Sequence, residues 1–359
     1  MITTNCTSPH LYVHAVSTVH KAKDKILNVA YKVLKAIQTV LSFPLRIVGS
    51  KSVSLAGMIR GQSIKDATRG YQQFSYHSLT QEETKKHLVY ASLAAAIHKN
   101  NSRWMEPFGY TPMQVGAFNT DLEKSGSVLF DRTTGLKITL YEKGDEVLIA
   151  FGALNSQASQ FSDNERKKCS LLGNKMKLAA ISNLLAGRPA LYTNADYHMI
   201  ELLKDPALQN KKITLCGQCL GGSIASYVAL RQHIPAVCLN TFPLGAGLQQ
   251  QIGTENLQNA DKLVTHISSR GDFFSDLPVV VKALDATVNF LGIRTPGNFG
   301  KRMRVDSIYT SPSKNHSNIL GAMIAKAQPE LLIPCQNMIS TNHDVAREAL
   351  KTVVNGLKL

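Results

Sequence analysis

KKITLCGQCLGGSIASYVAL, residues 211–230, is the stretch on which the fold turns. Ile213 and Leu215 alternate with polar residues as in a short buried strand. Gly217-Gln218-Cys219-Leu220-Gly221-Gly222 follows as a tight turn, and Ile224, Ala225, Val228 and Ala229 then recur at helical spacing. The order is strand, turn, helix, with G-x-C-x-G at the turn. Glycines two before and two after Cys219 let strand and helix approach closely. The helix N-terminus behind the cysteine offers unpaired N–H groups and a positive dipole end, which favour a thiolate and later an oxyanion. Two plainer readings compete with a nucleophile at this turn. A free cysteine is often only a small core residue. Cys216 and Cys219 also share the C-x-x-C spacing of redox motifs, although such motifs lie near the start of a domain and give Gly221-Gly222 no role.

A chain of 359 residues is long enough for one large α/β domain and an extension, with a core stable without cross-links. The six cysteines (6, 169, 216, 219, 238 and 335) are scattered and form no disulfide framework, so a reducing compartment is expected. No Cys/His group has zinc spacing, and neither a metal nor a cofactor is expected. No apolar run reaches the length of a membrane span, and the first residues lack the pattern of a signal peptide. The expected location is therefore the cytoplasm or another reducing compartment, with peripheral membrane association. The net charge of +15 points to an anionic partner. Without a zinc finger, an RNP-type motif or a basic recognition helix, an acidic lipid surface is expected rather than nucleic acid.

Residues 16–48 place Ile26, Val29, Val33, Ile37 and Val40 on one helical face and Lys21, Lys25, Lys32 and Lys35 on the other. This predicts a basic amphipathic extension over residues 1–62, either lying on a membrane or packed on its own domain. The remainder, 63–359, reads as one domain. Thr80-x-x-Glu83 opens a strong helix as a capping box. TGLKITLYEKGDEVLIAFGAL reads as two strands joined at Lys143-Gly144-Asp145. Lys175–Leu185 and Tyr197–Lys204 read as helices. AVCLNTF and KLVTHISS are further buried strands. Strands alternating with helices predict a mainly parallel sheet covered on both faces.

A cysteine nucleophile needs a base, and the base needs an orienting carboxylate. The strand Leu263–Ser268 leads directly to Asp272, which is the expected acid, with Asp276 and Asp285 as alternatives. For the base, His316 enters a helix from a polar loop and is preferred. His266 lies inside a strand ahead of the acid, and His343 is the fallback. The order nucleophile, acid, histidine along the chain is that of α/β-hydrolases.

With these residues in place the chain resembles the fungal-type (class 3) lipases over about 88–320. The family's T-G-H-S-L-G-G-A-L-A elbow aligns with Cys216–Ala225. Its T-F-G-S-P-R-V-G strand end is similar to Thr241–Gly247. Its acid loop, N-x-x-D-x-x-P-x-L-P, resembles Ser269–Pro278, with Asp272, Leu277 and Pro278 in register. Its H-x-x-Y/I-F segment matches His316 and Ile319. The chain departs from the family in its cysteine nucleophile and in Phe151-Gly152-Ala153-Leu154, where the family carries F-R-G-T.

The resemblance implies an α/β-hydrolase (lipase-like) fold with a Cys219–His316–Asp272 triad. The oxyanion donors would be the main-chain N–H groups of Leu220 and Leu154. The implied activity is hydrolysis of lipid or other acyl esters or thioesters through an acyl-thioester enzyme. An acyltransferase using the same triad and a non-catalytic lipase-like membrane-binding module are the alternatives. Residues 157–194 occupy the position of the family's lid. There Arg166-Lys167-Lys168 precedes Leu178–Leu185, a polar upper side over an apolar underside.

Overall fold

The computed structural model describes residues 76–99, 101–153, 178–180, 182–183, 187–272, 296–309, 316–332, 335 and 343–356. All lie in the compact unit Phe74–Leu359. The expected amphipathic extension, with Lys21, Lys25, Lys32 and Lys35, lies outside the described residues, as do Leu154, Asp276, Asp285 and the basic part of the segment expected as a lid.

The protein has an α/β fold with a central, mostly parallel sheet. Among the described residues it has ten strands: β1 (His77–Ser78), β2 (Thr111–Pro112), β3 (Glu123–Ser125), β4 (Val128–Phe130), β5 (Leu136–Lys143), β6 (Glu146–Ala153), β7 (Lys212–Gln218), β8 (Ala236–Leu239), β9 (Val264–Ser269) and β10 (Lys301–Val305). Their order is β1-β10-β9-β8-β7-β6-β5-β4-β3, with β2 alongside β5. Pairing is parallel from β1 to β6 and antiparallel from β6 to β3. The hairpin β5–β6 turns at Gly144, as the sequence predicts.

Helices cover both faces, and strand alternation sorts the side chains between them. On one face Leu148 and Ala150 of β6, Cys216 of β7, and Val237 and Leu239 of β8 pack under α1 (Gln81–Lys99), α6 (Ile319–Ala327) and α7 (His343–Asn355). On the other, Ile149 and Phe151 of β6, Leu215 of β7 and Cys238 of β8 pack under α2 (Ala190–Leu203) and α3 (Leu220–Gln232), and the short helices α4 (Ala246–Ile252) and α5 (Thr254–Gln258) follow β8. The core therefore extends past 320, through Leu350 and Val353 of α7.

The capping box at α1 is formed. Glu83 N–H donates to Thr80 Oγ1 at 3.1 Å, and Thr80 N–H donates to Glu83 Oε2 at 3.0 Å. The helix expected over Tyr197–Lys204 begins earlier, at Ala190 after Pro189, and ends at Leu203. Its first turns bury Leu191, Tyr192 and Ala195, and the Tyr192 ring meets Tyr227 of α3 edge-on at 5.7 Å. That packing adds two turns which the polar Thr193 and Asn194 conceal in the sequence. Of the helix expected over Lys175–Leu185, residues 178–180 and 182–183 are helical.

Candidate active site

Three consecutive parallel strands end at the same edge of the sheet, and each delivers a residue there. Cys219 follows β7, Asn240 follows β8, and the turn after β9 carries Asp272. Cys219 is the N-cap of α3 with φ 56° and ψ −121°, in the left-handed half of backbone space that a residue with a Cβ avoids. The sheet imposes this conformation. Cys219 N–H donates to Leu239 O at 3.0 Å, while its carbonyl accepts Ser223 N–H at 3.1 Å and Phe242 N–H at 3.2 Å.

The glycines around it have no room for a side chain. A Cβ on Gly217 would lie 2.3 Å from the Gly221 carbonyl carbon, one on Gly221 2.2 Å from Phe151 O, and one on Gly222 2.9 Å from Gly217 O. The close approach of strand and helix expected from G-x-C-x-G-G is thus a main-chain contact between β6, β7 and α3.

His316 lies in a short helical stretch just ahead of α6, and its Nδ1 lies 2.6 Å from Oδ1 of the fully buried Asp272. The ring also hydrogen-bonds Cys219. With Nδ1 on the carboxylate, Nε2 is the nitrogen left for the sulfur. Burial disfavours a charged imidazole here, but the hydrogen bonds and charges of Asp272 and Cys219 outweigh it and raise the His316 pKa from 6.5 to about 10. The N–H of Leu220, first in α3, follows the sulfur-bearing residue at the positive end of that helix. Leu154, expected as a second donor, lies outside the described residues.

The other candidates fall elsewhere. His266 is buried within β9, with Nε2 2.9 Å from Phe299 O and Nδ1 3.2 Å from Thr241 Oγ1. Burial, reinforced by Arg302, pushes its pKa down to about 3, so it is a neutral core residue. His343 begins α7. Cys216 points to the opposite face, beneath α1, where its thiol meets Tyr90 O at 3.5 Å. Burial drives its pKa up to about 12. Cys216, Cys219, Cys238 and Cys335 are all free thiols, so the C-x-x-C pair is not a disulfide. Among the described residues no group of three or more His, Cys, Asp or Glu side chains is arranged to hold a metal ion, and no helix is long and apolar enough to cross a membrane.

Two residues at this edge have a role that the sequence reading did not assign: Gln218, which lies within the G-x-C-x-G turn, and Asn240. Gln218 Nε2 donates to His316 O at 2.7 Å, and Asn240 Nδ2 donates to the same oxygen at 2.9 Å. Asn240 has φ 42° and is fully buried. The one signal in the sequence was an asparagine directly after the apolar run Ala236–Leu239, since asparagine tolerates left-handed backbone at a strand end. A second unforeseen contact lies beside the segment whose Phe242 N–H bonds the Cys219 carbonyl. Buried Asn183 donates from Nδ2 to Pro243 O at 2.8 Å and accepts Gly245 N–H at 2.7 Å.

Compared with known proteins, the chain matches no family model and no curated protein sequence.

Proposed function

We propose that this protein is a cysteine-dependent acyl hydrolase of the α/β-hydrolase, lipase-like type, acting on lipid or other acyl esters or thioesters. The observation that carries the reading is His316, held at 2.6 Å by buried Asp272 and hydrogen-bonded to Cys219 on a strained strand-to-helix turn. This is the nucleophile–base–orienter relationship of acyl-transfer enzymes. Its chain order, Cys219, Asp272, His316, adds to the support.

In the proposed reaction His316 takes the proton of Cys219, and the hydrogen bonds and charges of Asp272 and Cys219 favour the protonated ring. The Cys219 sulfur attacks the acyl carbonyl, and the Leu220 N–H faces the resulting oxyanion. His316 gives its proton to the leaving alkoxide or thiolate, and the acyl group remains on Cys219 as a thioester. His316 then takes a proton from water, which attacks the thioester, releases the acid and restores the cysteine. Asp272 keeps the imidazole oriented and offsets its charge throughout. An alcohol in place of the water would make the same site an acyltransferase. No metal or cofactor is needed in this sequence of steps.

The test is turnover of a panel of acyl esters and lipids by wild type, Cys219→Ala and His316→Ala, with mass spectrometry of the acyl group on Cys219. Loss of turnover in both variants and an adduct confined to Cys219 are expected. Undiminished turnover in either variant would overturn the triad, whereas no turnover by wild type and no acyl adduct on Cys219 would favour the non-catalytic, lipase-like binding module.

A further inference from the structure

We propose that Gln218 and Asn240 are positioning residues whose side-chain amides together hold the His316 main-chain carbonyl and so fix the imidazole between Cys219 and Asp272. The proposal rests on the acyl-transfer reading above. A carbonyl oxygen has two acceptor sites. Here they receive two side-chain donors, from the ends of β7 and β8, at 2.7 and 2.9 Å. Two donors arriving from different strands define the position of the oxygen, and with it the backbone from which the ring hangs.

The orientation of the Asn240 amide is fixed by its other end. Its Oδ1 accepts the Ser269 N–H at 2.8 Å, and a main-chain N–H can only donate. The Nδ2 group is thereby committed to the His316 carbonyl, which can only accept. Aspartate at 240 would lack that donor and leucine would lack both groups. Asn240 N–H in turn donates to Ile267 O of β9 at 2.9 Å, so the left-handed backbone at 240 is held by the sheet. Gln218 precedes Cys219, and Ser269 closes β9 three residues ahead of Asp272. The two amides thus connect the segments that carry nucleophile, base and acid. In acyl transfer an error of 1 Å in such a group costs about 100-fold in rate.

The experiment measures alkylation of Cys219 by iodoacetamide at neutral pH, which needs no substrate, beside kcat, KM and the urea unfolding midpoint. Gln218→Met keeps the length of the side chain and removes the donor. It is expected to slow both alkylation and kcat by about 10- to 100-fold, with KM and the unfolding midpoint unchanged. Gln218→His, which returns a ring N–H, should recover part of the loss. Asn240→Gly accepts the positive φ and should repeat the effect on alkylation and kcat, with a lower unfolding midpoint because the Ser269 N–H loses its acceptor. Alkylation at the wild-type rate in folded Gln218→Met and Asn240→Gly would overturn the proposal, and so would a loss in Gln218→Met accompanied by a fall in its unfolding midpoint. His316→Ala separates this result from the underlying reading. Slow alkylation in His316→Ala with wild-type behaviour in Gln218→Met removes the positioning role alone. Wild-type alkylation in His316→Ala removes the triad and the positioning role together.

Discussion

Gly221 lies so close to Phe151 that a Cβ at position 221 would stand 2.2 Å from the Phe151 main-chain oxygen. The obstacle is backbone on a central strand, so it has no rotamer by which to withdraw. Gly221→Ala is expected to destabilise the fold by about 1–3 kcal/mol through overpacking. It should also displace the start of α3 and with it Cys219. Urea unfolding with a parallel kcat measurement checks this; a variant with wild-type stability and turnover would mean that the β6–α3 approach is looser than described.

His316 makes stability depend on pH with a defined sign. Its folded-state pKa is raised from 6.5 to about 10: burial opposes the charge, and the bonds and charges of Asp272 and Cys219 overcome that cost. The stabilisation is therefore fully present below pH 6.5 and is lost as the pH rises through 10. The difference in unfolding free energy between wild type and His316→Gln should be largest in mildly acidic solution and shrink towards pH 10. Asp272→Asn should flatten the curve. A difference that grows with pH would contradict the assignment.

The described cysteines should separate sharply in reactivity. Cys216 and Cys335 are pushed up to about 12 and Cys238 well above its usual value, in each case first by burial. Cys219 alone of the four is partly exposed and faces an imidazolium. Iodoacetamide at neutral pH should modify it about 100-fold faster than the other three. Peptide mapping after brief labelling reads the result, and mild oxidation should yield no Cys216–Cys219 disulfide.

The excess of Lys and Arg, concentrated in part at Lys21, Lys25, Lys32 and Lys35, is expected to bring the protein to acidic bilayers. Each such charge near the surface contributes about 1 kcal/mol. Binding to phosphatidylserine-containing liposomes should exceed binding to neutral ones and weaken with salt. Deleting residues 1–60 should reduce it while sparing turnover of a soluble short-chain ester. Undiminished liposome binding by the truncated protein would sink the membrane role of this segment.

Much of the sheet was readable because its determinants are local. G-x-C-x-G-G fits a strand meeting a helix at close range, and the apolar runs of β6 and β8 and the alternation in β7 marked these strands as buried. The positions of Asp272 and His316 followed from chain order and loop character. β10 was not readable: Lys-Arg-Met-Arg-Val presents three charges in five residues, yet Met303 and Val305 are buried. Tertiary partners accommodate those charges, Arg304 over the Tyr76 ring at 3.7 Å from its centroid and Arg302 Nε on Asn298 O at 2.9 Å. Gln218 and Asn240 escaped notice for a similar reason, since their role lies in a carbonyl 98 and 76 residues away.

The strained backbone at Cys219 has a consequence for the life of the chain before it is folded. Holding φ at 56° costs on the order of 1–3 kcal/mol, and that cost is met only when β6, β7, β8 and α3 have come together around it. His316 joins from almost a hundred residues further on. On a ribosome, or in a heat-damaged molecule, Cys219 is thus an ordinary thiol on a relaxed turn. Under the acyl-transfer role proposed for this site, assembly of the native sheet would itself be the activating event, and an incomplete molecule would be inert.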